Sequence, residues 1–215
     1  MASETYPSPI GRVSWAFVFG DGDEKEKGPS KYKLTLMLPK NKKAISHLGL
    51  NPAQQKKLLR ETDEFVALIR EESEELAKAN FKKKWGSTRH DPILDGDDKA
   101  ESFAGNANFW LIRMKTKFKP KVSSPKKSDG YITDGNEDDK DGFYSGCWAR
   151  AVTSLYTYNT DGNAGVAVGL GHIQKAYNDE PFGSSGGDEF SEDIEELDID
   201  ESDFNDDDGD IDDIE

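Results

Sequence analysis

The chain has 215 residues, of which 34% are hydrophobic, and a formal net charge of -15. This length fits one domain of ordinary size with extensions, and a mean hydropathy of -0.82 predicts that part of the chain does not fold. The lone Cys147 excludes an intramolecular disulfide, and with no secretory signal and no apolar run of about 20 residues we expect a soluble intracellular protein.

Acidic residues are concentrated at the C-terminal end. The segment 188–215 contains 17 of the 43 Asp and Glu residues and no Lys or Arg. The other 187 residues therefore have 26 acidic and 28 basic side chains, a net charge of +2. The overall negative charge belongs to the tail, so it does not exclude a polyanionic ligand for the rest of the chain.

Alternation of apolar and polar side chains predicts five β-strands. In the first of them, the pattern assigns Trp15 and Phe17 to the core. In the second, Tyr32 shares a face with the leucines, whereas Lys33 lies on the opposite face. The five predicted strands cover residues 11–20, 31–38, 108–119, 146–158 and 165–175.

A helix is predicted between the second and third strands. Asn51 can cap free N–H groups, and Pro52 at the first helical position loses no hydrogen bond. Apolar residues then recur at three- to four-residue spacing, so the helix is expected to end near Asn80. The polar segments 81–107 and 123–142 are predicted to be mainly loops.

Five strands and one inserted helix predict a mainly β fold. Few apolar residues remain to build anything else, and a closed or nearly closed barrel removes most exposed strand edges. We therefore expect a five-stranded OB-fold barrel with one inserted helix over residues 1–182. The Gly and Ser residues of 183–187 predict a flexible hinge, and 188–215 is predicted to be a disordered acidic tail.

The third predicted strand has a row of cations on one face. A row of like charges repels itself, and a phosphate backbone would relieve that repulsion, because alternate side chains recur about every 6–7 Å along a strand. The alternative is an edge strand that lysines protect from aggregation. The expected phosphate contacts are Arg113, Lys115, Lys117, Lys119 and Lys121.

Single-strand binding also requires aromatic side chains on which bases can stack. Alternation in the fourth predicted strand places Trp148, Arg150 and Tyr156 on one face. Trp148 could equally fill the core under the helix. With Tyr32 and Lys33 from the second strand, these residues complete the predicted nucleic-acid site.

The acidic tail has two readings. It could only keep the protein soluble. Alternatively it mimics a nucleic-acid backbone, occupies the basic groove at high effective concentration, and recruits partner proteins once DNA displaces it. Apolar residues that could contact such partners punctuate the acidic ones, among them Phe190, Leu197, Phe204, Ile211 and Ile214.

Catalytic and metal-binding motifs are incomplete in this sequence. There is no phosphate-binding lysine loop, and the three histidines lie in different segments without nearby cysteines. We therefore expect no catalytic residue, no metal and no cofactor. A metal-dependent nuclease that uses clustered carboxylates is the weakest hypothesis.

The order of basic barrel, glycine hinge and acidic tail, with VAVGLGHIQKAYNDEPFG (166–183) leading out of the barrel, resembles the T7-like single-stranded DNA-binding proteins of tailed phages. The resemblance implies an OB-fold that binds single strands without strong sequence preference in DNA replication, recombination and repair. It also implies action in the cytoplasm of the infected bacterial host, with the tail contacting polymerase or helicase. This tail ends in Asp-Asp-Ile-Glu, whereas related tails often end in an aromatic residue.

Other partners are left open by the sequence. Weak binding to duplex DNA stays open because phosphate contacts discriminate poorly between nucleic acids, and so does a homodimer. The main alternative function is an acidic-tailed adaptor or chaperone-like module, which would explain the tail but not the row of lysines.

Overall fold

The computed structural model describes residues 4–25, 30–81, 91–126, 130–133, 142–160 and 163–182. The predicted hinge, 183–187, and the predicted tail, 188–215, lie outside these ranges.

One α-helix and nine β-strands are present in the described residues. The helix α1 spans Pro52–Phe81, and short 3-10 helices span Lys42–Leu48, Asp97–Lys99 and Ala104–Asn106. The strands are β1 (Thr5–Pro7), β2 (Gly11–Phe17), β3 (Tyr32–Pro39), β4 (Ile93–Asp95), β5 (Phe109–Thr116), β6 (Val122–Ser123), β7 (Tyr131–Ile132), β8 (Trp148–Thr160) and β9 (Asn163–Tyr177).

The five predicted strands correspond to β2, β3, β5, β8 and β9, and the predicted helix corresponds to α1. Asn51 caps α1 as expected: its side chain accepts a hydrogen bond from the Gln54 amide, and the Gln54 side chain accepts one from the Asn51 amide, each 2.9 Å long. The segments predicted to be mainly loop also contain β4 and β7, which are too short to show alternation. No helix in the described part of the chain is long and apolar enough to cross a membrane.

The pairings of the five long strands form a closed circuit. Strand β2 pairs antiparallel with β3, and β3 with β5. Strand β5 pairs in parallel with β9, which pairs antiparallel with β8, and β8 pairs with β2. The short strands pair outside the circuit, β1 with β8, β4 with β5, and β6 with β9 and β7. The mainly β class with one helix is therefore confirmed.

The main core lies on one face of these strands, under α1. Leu34, Leu36, Ile112 and Met114 are no more than 1% exposed and belong to this core. Phe65 of the helix packs against it as well. We call the opposite face of the five strands the outer face.

A second apolar cluster covers part of the outer face. Register places Trp148, Arg12, Met37 and Leu111 side by side on strands β8, β2, β3 and β5. Met37, Leu111 and Trp148 are covered by apolar side chains of the first 3-10 helix and of the start of α1, such as Ile45. The other half of the outer face, toward Lys33 and Lys115, lies outside this cluster.

Candidate nucleic-acid interface

The uncovered half of the outer face has a row of residues that runs across the paired strands. Phe17 pairs with Lys33, Lys33 with Lys115, Lys115 with Gly169, and Gly169 with Ser154. Paired residues point to the same side of a sheet, about 4.7–5.5 Å apart. Two lysines and an aromatic ring are therefore next to one another on the surface.

A β-bulge in β2 brings aromatic side chains to this face. The register shifts between Ser14 and Phe17, and Trp15 has a φ of 53°. The extra residue reverses the alternation, so that Phe17 pairs with Lys33 on the outer face and Val18 is buried in the core. The rings of Trp15 and Phe17 stack with centroids 6.3 Å apart. The prediction that both lie in the core was wrong, because strict alternation assumes no bulge.

Lys33 is held over this aromatic pair. Its Nζ lies 5.3 Å from the centre of the Phe17 ring and 2.5 Å from Oδ2 of Asp23. Burial raises the pKa of the Asp23 carboxyl, but hydrogen bonds from Lys33 and from the Lys25 amide outweigh it, and the pKa lies below its ordinary value. Asp23 therefore stays ionised and fixes the position of the Lys33 ammonium group.

Arg113 lies two residues before Lys115 on β5, so both side chains are on the same face. Arg113 pairs with Thr35. Burial lowers the pKa of its guanidinium group, and within the described residues no carboxylate compensates for that burial. Desolvating a cation without a counterion is costly. The arrangement is therefore suited to an anionic ligand.

Tyr156 of β8 lies on the far side of the row. A Cβ atom built on Gly169 would lie 3.7 Å from Cδ1 of Tyr156 and 2.6 Å from Oγ of Ser154. The glycine thus leaves the backbone of β9 open between Lys115 and the tyrosine. We call Trp15, Phe17, Lys33, Arg113, Lys115 and Tyr156 together the cationic patch.

The predicted row of cations is shorter than expected. Strand β5 ends at Thr116, so Lys117 and Lys119 lie in the exposed segment that connects β5 to β6. Lys121 is exposed beside that short strand. The alternation that predicted a row of cations on one face therefore applies to Arg113 and Lys115 but not to the later lysines.

Trp148 is on the predicted face but is not available for stacking. It is fully buried beneath the second apolar cluster, and its Nε1 donates to Oδ2 of Asp179 at 2.7 Å. Its assignment as a base-stacking residue is corrected: the alternative, a core position, is what the structure has. Alternation predicts which face of the sheet a side chain is on. It does not predict whether another segment of the chain covers that face.

Tyr32 is on the other side of the sheet. It pairs with Thr116 on the face of Leu34 and Met114, and its hydroxyl donates to the Gly20 carbonyl at 3.3 Å. Tyr32 is therefore not brought together with Lys33 and Lys115. Arg150 is exposed, as predicted, and donates through Nε and Nη2 to Oε1 of Gln174 at 2.8 and 2.6 Å.

A metal site is not visible in the described ranges, where no group of three or more His, Cys, Asp or Glu side chains could hold an ion. The interface consists of cations, aromatic rings and open backbone. Such a surface is able to contact phosphates and stack bases.

Comparison with known families agrees with this chemistry. The model of the family described as Enterobacter phage Enc34, ssDNA-binding protein, matches residues 10–205. The chain belongs to this family. Its members are phage single-stranded DNA-binding proteins, a non-enzymatic class. The resemblance inferred from the order of barrel, hinge and tail is thereby confirmed.

Solved structures of a phage Enc34 protein share the fold. The single-stranded DNA-binding protein from bacteriophage Enc34 in complex with ssDNA is 21% identical, with a TM-score of 0.58 over 83% of this chain and 89% of that chain. The protein from the same phage in another structure is 22% identical, with a TM-score of 0.55 over 84% and 85%. Bacteriophage T7 gp2.5, a single-stranded DNA-binding protein, is 15% identical, with a TM-score of 0.44 over 86% and 98%. Comparison with curated protein sequences gave no match.

Proposed function

We propose that this chain binds single-stranded DNA without strong sequence preference, through the cationic patch. The observation that carries the proposal is the side-by-side placement of Lys33, Lys115 and Arg113 with the stacked rings of Trp15 and Phe17. Cations that follow a backbone and aromatic platforms that accept any base are the usual means of binding single strands. Membership of a phage single-stranded DNA-binding family supports the same conclusion.

We infer that residues 1–182 form an OB-fold barrel. Support comes from the closed circuit of β2, β3, β5, β9 and β8, in which only the β5–β9 pair is parallel. OB-folds bind oligonucleotides on the face of their second and third strands. In this chain those strands are β3 and β5, which contribute Lys33, Arg113 and Lys115.

We also propose that the acidic segment 188–215 competes with DNA for the cationic patch. The support is the position of Phe182, which packs against the second apolar cluster. The centre of its ring lies 4.1 Å from the guanidinium carbon of Arg12. Leu111 of that cluster is two residues, about 7 Å, from Arg113 on the same face of β5. A tail tethered so close would have a high effective concentration at the patch.

The biological role that we propose follows from the family. The protein would cover single strands during phage DNA replication, recombination and repair in the host cytoplasm. A tail displaced by DNA would expose its apolar residues to replication proteins such as polymerase or helicase. The hinge, 183–187, would give the tail the reach for both roles.

Fluorescence anisotropy with a labelled 20-nucleotide single strand and the matching duplex, over a salt series, tests the proposal. Single strands should bind more tightly than duplex. The double variant Lys33→Ala and Lys115→Ala should bind more weakly, and the slope of log affinity against log salt should become shallower by about 1.4, near 0.7 per lost phosphate contact.

The matched control is Lys56→Ala with Lys57→Ala, which removes two exposed lysines from α1 and should leave the slope unchanged. A slope that the patch variant does not alter would remove Lys33 and Lys115 from the interface. Absence of oligonucleotide binding at low salt would refute the proposed DNA-binding function. It would favour the alternative function of a protein-interaction adaptor.

A further inference from the structure

The hairpin of β6 and β7 continues the outer face beyond the cationic patch. Strand β6 pairs in parallel with β9, with Val122 opposite Ile173, and β7 pairs with β6. On β9, Ile173 comes four residues after Gly169, the neighbour of Lys115. The hairpin therefore begins about 13 Å along the same strand from the patch, roughly two nucleotides of an extended single strand.

Tyr131 of this hairpin is exposed but held in place. Its side chain is 60% exposed. The ring of His172 packs edge-on against it, with centroids 5.9 Å apart and an interplanar angle of 76°, and Nζ of Lys121 lies 5.7 Å from its centre. Because most of the Tyr131 side chain is exposed to water, these contacts do not come from packing the ring into a core.

Besides Lys121, a second cation lies on the same face of the sheet as this tyrosine. Lys121 is exposed on the segment that enters β6, and Arg150 is exposed across β9. Gln174, the register neighbour of both Arg150 and Ser123, accepts two of the five N–H donors of Arg150 and so orients its guanidinium group. An aromatic platform with one cation at its ring and a second, oriented cation farther along the same face matches the chemistry of a stacked base and phosphates.

We propose that Tyr131, His172 and Lys121 form a second base-stacking site for the same DNA strand that occupies the cationic patch. The inference rests on the proposed single-strand function and extends it by giving the strand a path along β9. Tyr131 supplies the face on which the base stacks, His172 fixes the ring, and Lys121 with Arg150 contacts the adjoining phosphates.

Affinity measurements with a 20-nucleotide oligothymidylate test this site. Tyr131→Ala should weaken binding about tenfold, as expected for the loss of one stacked base. Tyr131→Phe, which keeps the ring and loses the hydroxyl, should bind within about twofold of the unaltered chain. The matched control is Tyr177→Ala, which removes another exposed tyrosine, at the end of β9, and should leave affinity unchanged.

Photocross-linking of the unaltered chain to an oligonucleotide containing 5-iododeoxyuridine gives a readout that does not depend on how a variant folds. Peptide mapping should find an adduct on Tyr131. If Tyr131→Ala binds normally and no adduct forms there, while the Lys33 and Lys115 variant loses affinity, the second site is wrong and the proposed function stands. If the unaltered chain binds no single strand, both proposals fail.

Discussion

At Arg113, the cost of burying a cation in the fold opposes stability but would favour the binding that we propose. Its guanidinium group is desolvated by the fold, and within the described residues it has no carboxylate partner. The free protein bears the cost of that burial, and a bound phosphate would offset it. A residue that costs stability in the free state is more easily explained by its ligand than by packing.

Replacing Arg113 with Met should separate these two effects. The apolar side chain fills similar space without a buried charge, so the free energy of unfolding should stay equal or rise. Affinity for single strands should fall, and the salt slope should become shallower by about 0.7. Denaturant unfolding and anisotropy over a salt series measure the two quantities.

Arg60→Met is the matched control for Arg113→Met, because Arg60 is exposed on α1 and its side chain is 66% accessible. It should change neither the salt slope nor, by more than about 0.5 kcal/mol, the stability. A large loss of stability in Arg113→Met would show that the arginine serves the fold and not a ligand.

At the scale of elements, the segment that leaves β9 is held against the strands, and one of its carboxylates makes several of the contacts. Oδ2 of Asp179 accepts hydrogen bonds from Nε1 of Trp148 at 2.7 Å and from Nε2 of His47 at 2.8 Å, and Arg12 lies 3.5 Å away. Gly146 packs beneath this segment with a φ of 115°, where a Cβ atom would lie 2.4 Å from the Glu180 carbonyl. The segment between β9 and residue 182 is therefore anchored.

Asp179→Asn should destabilise the protein in a pH-dependent way. Burial raises the pKa of Asp179, but hydrogen bonds from Trp148 and His47 outweigh it, so the pKa lies below the ordinary value of 3.8. Its contribution is therefore complete above about pH 4 and is lost as the pH falls through the lowered pKa.

Denaturant unfolding should show a loss of about 1.5–3 kcal/mol for Asp179→Asn at pH 7, the range for hydrogen bonds to a charged group. At pH 3 and below, this difference should become progressively smaller. Asp98→Asn, which alters an exposed carboxylate, should have little effect at either pH. A penalty for Asp179→Asn that increases toward acid would contradict the assignment.

At the scale of the whole molecule, the charge of the chain is divided between its two parts. Residues 188–215 contain 17 acidic side chains and the remainder has a net charge of +2. A chain that ends at Gly187 should bind single strands more tightly than the full chain, by about tenfold in low salt, because the tethered competitor is gone. The difference should narrow as salt screens the tail.

Anisotropy of both chains over the same salt series measures that difference. A full-length chain in which every Asp and Glu of 188–215 is replaced by Asn or Gln is the matched control, and it should behave like the shortened chain. Equal affinities of all three chains at every salt concentration would mean that the tail does not compete with DNA.

Much of this organisation could be predicted from the sequence, because it depends on local patterns. Alternation located β2, β3, β5, β8 and β9, and Asn51 with Pro52 located the start of α1. Register then confirms that Lys33, Arg113 and Lys115 share a face. Side-chain direction in an extended strand is a property of neighbouring residues alone, so these predictions needed no contact distant in sequence.

The composition of the site was decided by tertiary structure. A bulge beside Trp15 brought two aromatic rings onto the outer face, and apolar side chains around Ile45 covered Trp148. Tyr131 and His172, far apart in sequence, met only because β6 pairs with β9. The sequence by itself determined strands, helix and charge division, whereas long-range pairing and coverage, which local periodicity does not encode, decided which side chains remain exposed on the outer face.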